Sequence, residues 1–223
     1  MIFNKSGIAF PDYQNKKGQL FTHTKNHDVK QWEYCLKHIK NFRTCIEFGA
    51  HVGTSAIQYS KSFEKIISFE PLPDLFECLS YNTKNLSNVE IHNFAISDTN
   101  GFTDIFVNPQ NSGSNVIESD ETSKLIKTRW GNKNRKAFVE SKPIQVKTRT
   151  IDSFGFTDVD FIKIDTEGFN IQPLMGMAET LKNNSPVVMM ELGQGNNPGR
   201  KYLMSMGYKL LGKIDIDEIY IKK

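Results

Sequence analysis

With 223 residues, 38% of them hydrophobic and 24% charged, the chain has the length and make-up of one soluble globular domain. No run approaches the ~18 to 20 apolar residues that span a bilayer, and Met1 to Gly18 carries no signal-like stretch, so a cytoplasmic protein without membrane contact is expected. A net charge of +3 does not imply nucleic acid, and the widely spaced Cys35, Cys45 and Cys78 provide neither a disulfide framework nor a zinc site.

Residues 1–27 are polar and broken by Gly7, Pro11 and Gly18, which predicts an N-terminal arm on the domain. From Asp28 the period becomes helical, with Val29, Trp32, Leu36 and Ile39 three or four apart. Thr44 to Phe48 reads as a strand ending at Gly49, and Thr54 to Lys61 as a helix. Strand Ile66 to Phe69, helix Asp74 to Lys84 and strand Val89 to Phe94 follow. This alternation predicts parallel strands with crossover helices, an α/β doubly wound plan.

After Asp98 the alternation lapses. Phe102 to Val107 and Ile144 to Thr150 read as strands on either side of a long polar segment. That segment, Asn108 to Glu140, is an insertion within the domain. It is either a solvated, partly helical excursion or a lid whose Lys124, Lys127, Arg129, Lys133, Arg135 and Lys136, around Trp130, face an acidic or phosphorylated substrate. Alternation returns with strand Phe161 to Ile164, helix Pro173 to Lys182 and strand Val187 to Met190. A helix around Pro198 to Met206 and strands Tyr208 to Leu211 and Glu218 to Ile221 end the chain.

Three short stretches carry chemistry. Glu47-Phe48-Gly49-Ala50-His51-Val52-Gly53 joins a strand to a helix, and its glycines let the backbone turn tightly against a ligand. His51 stands where a dinucleotide fingerprint needs its middle glycine, so a pyrophosphate is disfavoured. An acid at Glu47 suits a cationic group such as an amine or sulfonium instead. Glu70, 21 positions after Gly49 and followed by Pro71, has the spacing at which a carboxylate accepts from ribose hydroxyls. Asp165 and Glu167, in Lys163-Ile164-Asp165-Thr166-Glu167-Gly168, follow a strand whose carboxyl end should open into the same crevice. They are suited to position a hydroxyl, accept its proton or hold a divalent metal.

These stretches, with Phe69-Glu70-Pro71-Leu72-Pro73, Ala95-Ile96-Ser97-Asp98, Arg149-Thr150-Ile151-Asp152 and Asp160-Phe161-Ile162 in that order, resemble the FkbM family of S-adenosylmethionine-dependent methyltransferases. The chain departs from the family at Glu47, where Asp is usual, and at His51, where Asn is common. The resemblance implies a class I methyltransferase (Rossmann-like) three-layer sandwich. Its sheet would be seven-stranded and mostly parallel, with an antiparallel strand near the end. It implies S-adenosylmethionine as cofactor and methyl transfer, most often to oxygen, on a small-molecule or glycan acceptor. By position, Glu47, Gly49 and Gly53 would hold the methionine end, Glu70 the ribose, and Ala95 to Asp98 the adenine surroundings, with Ala50, His51 and Pro71 also against the cofactor. Asp165 would adjoin the cofactor and, with Glu167, act on the acceptor.

Other residues are weighed beside these. His51 sits where it can reach the crevice, whereas His92 reads as a packed or solvated strand residue. Ser112-Gly113-Ser114 is suited to a nest over the cofactor, and Glu191 ends a strand near the acceptor side. Two rival readings are N-methylation of a protein or nucleic acid, and a binding protein without turnover. The first lacks an Asn-Pro-Pro-Tyr-type step after Phe161 to Ile164. Against the second stand the intact acids at Glu47, Glu70, Asp165 and Glu167.

Overall fold

The computed structural model describes residues 1–13, 28–108, 111–117, 142–191 and 198–222. The apolar segments between glycine turns form strands: β1 (Ile2–Phe3), β2 (Ala9–Phe10), β3 (Thr44–Phe48), β4 (Lys65–Phe69), β5 (Val89–His92), β6 (Ala95–Ile96) and β7 (Gly101–Phe106). They continue with β8 (Val116–Ile117), β9 (Ile144–Arg149), β10 (Val159–Ile164), β11 (Val187–Glu191), β12 (Tyr208–Ile214) and β13 (Asp217–Lys222). The helices are α1 (Val29–Leu36), α2 (Thr54–Tyr59), α3 (Pro73–Thr83), α4 (Ile171–Met175), α5 (Ala178–Asn184) and α6 (Pro198–Ser205).

Seven strands make the main sheet in the order β5-β4-β3-β10-β11-β13-β12. Pairing is parallel from β5 through β11, and β13 runs antiparallel to both β11 and β12. The sheet is therefore the seven-stranded, mostly parallel one expected, antiparallel strand included. All five residues of β3 are buried, because helices cover both faces of the sheet. On one face Cys45, Ile66 and Phe161 pack with Trp32 and Cys35 of α1 and with Ala56 and Tyr59 of α2. On the other, Ile46, Phe48, Ile162 and Ile164 pack with Leu174, Leu181 and Leu203 of α4, α5 and α6. Each such fully buried large side chain contributes ~1.5–3 kcal/mol.

Local signals explain the element ends. Pro73 opens α3 with φ already set, and Asp74 faces the positive end of its dipole. The single helix expected from Pro173 to Lys182 is instead two, α4 and α5, broken at Gly176. A Cβ on Gly176 would lie 2.0 Å from the Ser97 carbonyl oxygen, so the chain passes there too closely for any side chain. The Asp152 carboxylate then starts α5, accepting from the Glu179 and Thr180 backbone N–H groups at 3.0 and 2.9 Å.

A second sheet, in the order β6-β9-β7-β8, was only half expected: β6 and β8 have two residues each, too few for a period to show. Its inner side chains Ala95, Ile105, Ile117 and Val146 pack with Val52, Leu72 and Leu75, and with Phe10 from the N-terminal arm. This sheet walls the carboxyl ends of β3 and β4. Of the expected lid, residues 109–110 and 118–140, with the basic residues around Trp130, lie outside the described residues. No helix among the described residues is long and apolar enough to cross a membrane.

Candidate functional site

The turns that leave β3, β4 and β10 open side by side into a cavity of about 910 Å³. Two glycines shape the first turn. Gly49 has φ +73°, and a Cβ there would lie 1.9 Å from the Asp165 carbonyl oxygen, so the β3 and β10 turns meet only because the side chain is absent. Gly53, at φ +89°, precedes α2, and its Cβ would lie 2.7 Å from Leu79 Cδ1. The Gly49 and Ala50 backbone N–H groups donate to the Phe69 carbonyl at 3.1 and 3.0 Å, locking the turn onto β4.

Glu70 lies at the end of β4 and is buried. Its Oε2 accepts from the His51 backbone N–H at 2.9 Å, and its Oε1 from the Leu72 N–H at 3.0 Å. Each oxygen retains a further lone pair for a ligand hydroxyl. Burial pushes this carboxyl up to about 8, against the pull of the two N–H donors. His51, at φ +52°, brings its Nε2 to 2.8 Å from Ser112 Oγ, and its ring lies 6.3 Å from that of Phe10. His51 thus ties the glycine turn to the loop between β7 and β8. Asn108, Asn111 and Asn115 hold that loop: Asn115 Oδ1 accepts from the Asn108 N–H at 2.8 Å, and Asn115 Nδ2 donates to the Ser112 carbonyl at 2.7 Å.

Beneath α2 lies a buried ionic cluster centred on Lys163. Its Nζ is 3.0 Å from Asp28 Oδ2, 3.1 Å from Asp165 Oδ2 and 3.9 Å from Glu47 Oε1, and it donates to Ser55 Oγ at 3.1 Å. Burial opposes the ammonium charge, but Asp165, Asp28, Tyr59 and Glu47 outweigh it and hold the lysine well above its ordinary value. Glu47 is fully buried, with Oε2 accepting from Ser68 Oγ at 3.0 Å. Burial pushes its carboxyl up, against the pull of Lys163 and Ser68. Its Oε1 accepts no hydrogen bond among the described residues.

Gly49, Ala50, His51, Glu70, Pro71, Ala95, Asp165 and Glu167 all line the cavity. Glu47, Gly53 and Asp98 do not: Glu47 sits under the turn, Gly53 faces α3, and Asp98 is exposed, accepting from Ser97 Oγ at 3.0 Å. His92 packs outside the cavity, stacked on Phe69 with ring centroids 5.0 Å apart. Ser112, Gly113, Ser114 and Glu191 do line it.

The Methyltransferase FkbM domain model matches residues 47–210, well over half of the chain. The chain belongs to the FkbM methyltransferase family. Among solved structures it is similar to the methyltransferase FkbM from Methylobacillus flagellatus KT, with 15% identity and a TM-score of 0.53 over 84% of this chain and 46% of that one. The match therefore covers less than half of that protein. It is also similar in fold to precorrin-6y C5,15-methyltransferase from Geobacter metallireducens GS-15, with 13% identity and a TM-score of 0.51 over 98% and 96% of the two chains. No curated protein sequence matches it significantly.

The FkbM motifs thus converge on one crevice, but the crevice also holds groups outside them. Asp28 and Gln31 arrive from the start of α1, and Asp215, Ile216 and Asp217 from the hairpin between β12 and β13. Lys163 could have been singled out, since a lysine inside the apolar Phe161 to Ile164 run needs buried counter-charges. Asp217 had no such signal, because only the antiparallel course of β13 brings its first residue beside Glu191 at the strand ends. Among the described residues, no group of three or more His, Cys, Asp or Glu side chains is arranged to hold a metal ion.

Proposed function

We propose that this protein is an S-adenosylmethionine-dependent methyltransferase that methylates a hydroxyl of a sugar, glycan or natural-product-like acceptor. The observation that carries the reading is the meeting of the Gly49 turn, Glu70 and Asp165 at one cavity, in a chain of the FkbM family.

The residues present suit that cofactor. Glu70 presents both carboxyl oxygens to ribose hydroxyls, and the apolar surfaces of Leu72, Phe94, Ala95 and Ile96 suit a purine. At the other end, Asp28, Asp165 and Lys163 carry both signs of charge, which suits the zwitterionic amino-acid end. When bound, the cofactor supplies an electrophilic methyl group. The protein's own work is to orient an acceptor oxygen toward it, to exclude water and to receive the hydroxyl proton. Glu167 and Glu191 line the cavity and are suited to take hydrogen bonds from acceptor hydroxyls.

Titration calorimetry with S-adenosylhomocysteine tests the cofactor, and transfer of labelled methyl to a panel of sugars, glycans and alcohols tests the acceptor. Glu70→Ala should weaken S-adenosylhomocysteine binding more than tenfold. A wild-type protein that binds neither S-adenosylhomocysteine nor S-adenosylmethionine would overturn the reading.

A further inference from the structure

Methylating a hydroxyl leaves a proton that some group must take, and the two acids of the family step differ in what they can offer. Asp165 Oδ2 lies 3.1 Å from the ammonium of Lys163, which is itself buried. A proton placed on that carboxylate would remove a counter-charge from a cation that solvent does not reach. Asp165 is therefore committed to pairing Lys163 and to orienting. Glu167 is partly exposed, on a turn at φ +48°.

Asp217 differs from both. It is buried at 6% exposure, yet it lines the cavity at the first position of β13, beside Glu191 of β11. Its Oδ2 accepts from Gln31 Nε2 at 3.1 Å, a neutral donor that fixes the carboxylate's direction without cancelling its charge. The neighbouring charged groups are mostly acids: Asp28 at the start of α1, Asp165 after β10, Glu191 at the end of β11 and Asp215 in the hairpin turn, with Lys163 as the counterweight.

We propose that Asp217 is the proton acceptor of the methyl transfer, oriented by Gln31. This rests on the hydroxyl-methylation reading above. As the acceptor oxygen forms its bond to the methyl carbon, the carbon–sulfur bond pair stays with sulfur, and the hydroxyl proton passes to a carboxylate oxygen of Asp217. The sum is a methyl ether, S-adenosylhomocysteine and a protonated Asp217, which returns its proton to water. Burial, then repulsion from Asp28 and Asp165, raises this carboxyl to about 6, against the pull of Lys163 and the Gln31 hydrogen bond. A base matched to near-neutral pH has that property.

Three measurements on the full chain test the proposal. Selective aspartate carbon labelling should show one carboxyl titrating near 6, missing in Asp217→Asn; a normal midpoint near ~3.9 overturns the assignment. Asp217→Asn should bind S-adenosylhomocysteine within twofold of wild type by calorimetry while its kcat, on the alcohol that wild type accepts, falls at least 100-fold. Near wild-type kcat, or a parallel loss of binding, overturns it, as does a wild type that binds the cofactor but methylates no hydroxyl. A wild type that binds no cofactor sinks the broader reading instead. Gln31→Leu removes a donor to the ionised form, so the acid limb of kcat/KM should move to higher pH; an unmoved limb argues that Gln31 only packs.

Discussion

Replacing Gly49 with alanine tests the junction on which the crevice depends. The left-handed φ of +73° costs an alanine ~1–2 kcal/mol by itself. The added Cβ would also start 1.9 Å from the Asp165 carbonyl oxygen, where ordinary C···O contact begins at ~3.3 Å. The two turns must then separate by more than ~1 Å. They are held together by the Asp165 N–H donating to the Phe48 carbonyl at 3.1 Å and by the β3–β10 ladder directly behind, so the strain cannot be relieved by a side chain moving aside. Overpacking of this kind adds ~1–3 kcal/mol, which brings the total to about 2–5 kcal/mol. In a chain of this size that lowers Tm by about 10 °C. Gly155→Ala is the matched control: φ is +64°, and nothing lies within 4 Å of the Cβ position, so only the backbone cost remains. Urea titration of both variants, with S-adenosylhomocysteine calorimetry on each, separates the two contributions. If Gly49→Ala is no less stable than Gly155→Ala and binds as well, the close approach of the two turns does not shape the site.

Three other outcomes are expected. Lys163→Met leaves Asp28, Glu47 and Asp165 without their shared cation and should destabilise the fold by ~3–5 kcal/mol in urea titration; a loss under ~1 kcal/mol would mean that water already screens the cluster. Asp152→Ala removes the acceptor at the start of α5 and should cost ~0.5–2 kcal/mol, with S-adenosylhomocysteine affinity unchanged because Asp152 lies outside the cavity. Glu70 titrates higher in the folded chain than when unfolded, so its contribution to stability is full below its unfolded value and is lost as pH rises through about 8. Stability measured between pH 6 and pH 9 should therefore fall more steeply for wild type than for Glu70→Gln, and identical slopes would show that Glu70 is ionised throughout.

Most strands and helices were legible because the chain changes period where the elements change. Val29, Trp32 and Leu36 repeat at helical spacing, while Cys45-Ile46 and Ile66-Ile67 are short apolar runs a few residues before Gly49 and Pro71. The break between α4 and α5 was not legible, since Gly176 is required by Ser97, which is remote in sequence. Nor was the role of His51, whose ring meets Ser112 in a loop 61 residues away. The place of Glu47 also differed from expectation: strand alternation turned it with Cys45 toward α1 and α2, under the glycine turn rather than into the cavity.

The sequence alone determined the doubly wound plan, the glycine turn, and the acids Glu70, Asp165 and Glu167, because each follows from local spacing at the end of a strand. Tertiary structure alone decided which charges share the cavity. Asp28, Lys163, Asp215 and Asp217 meet there because β10 lies beside β3 and because β13 runs backwards between β11 and β12. Contacts of that kind depend on the order and direction of strands far apart in the chain, which no local period encodes.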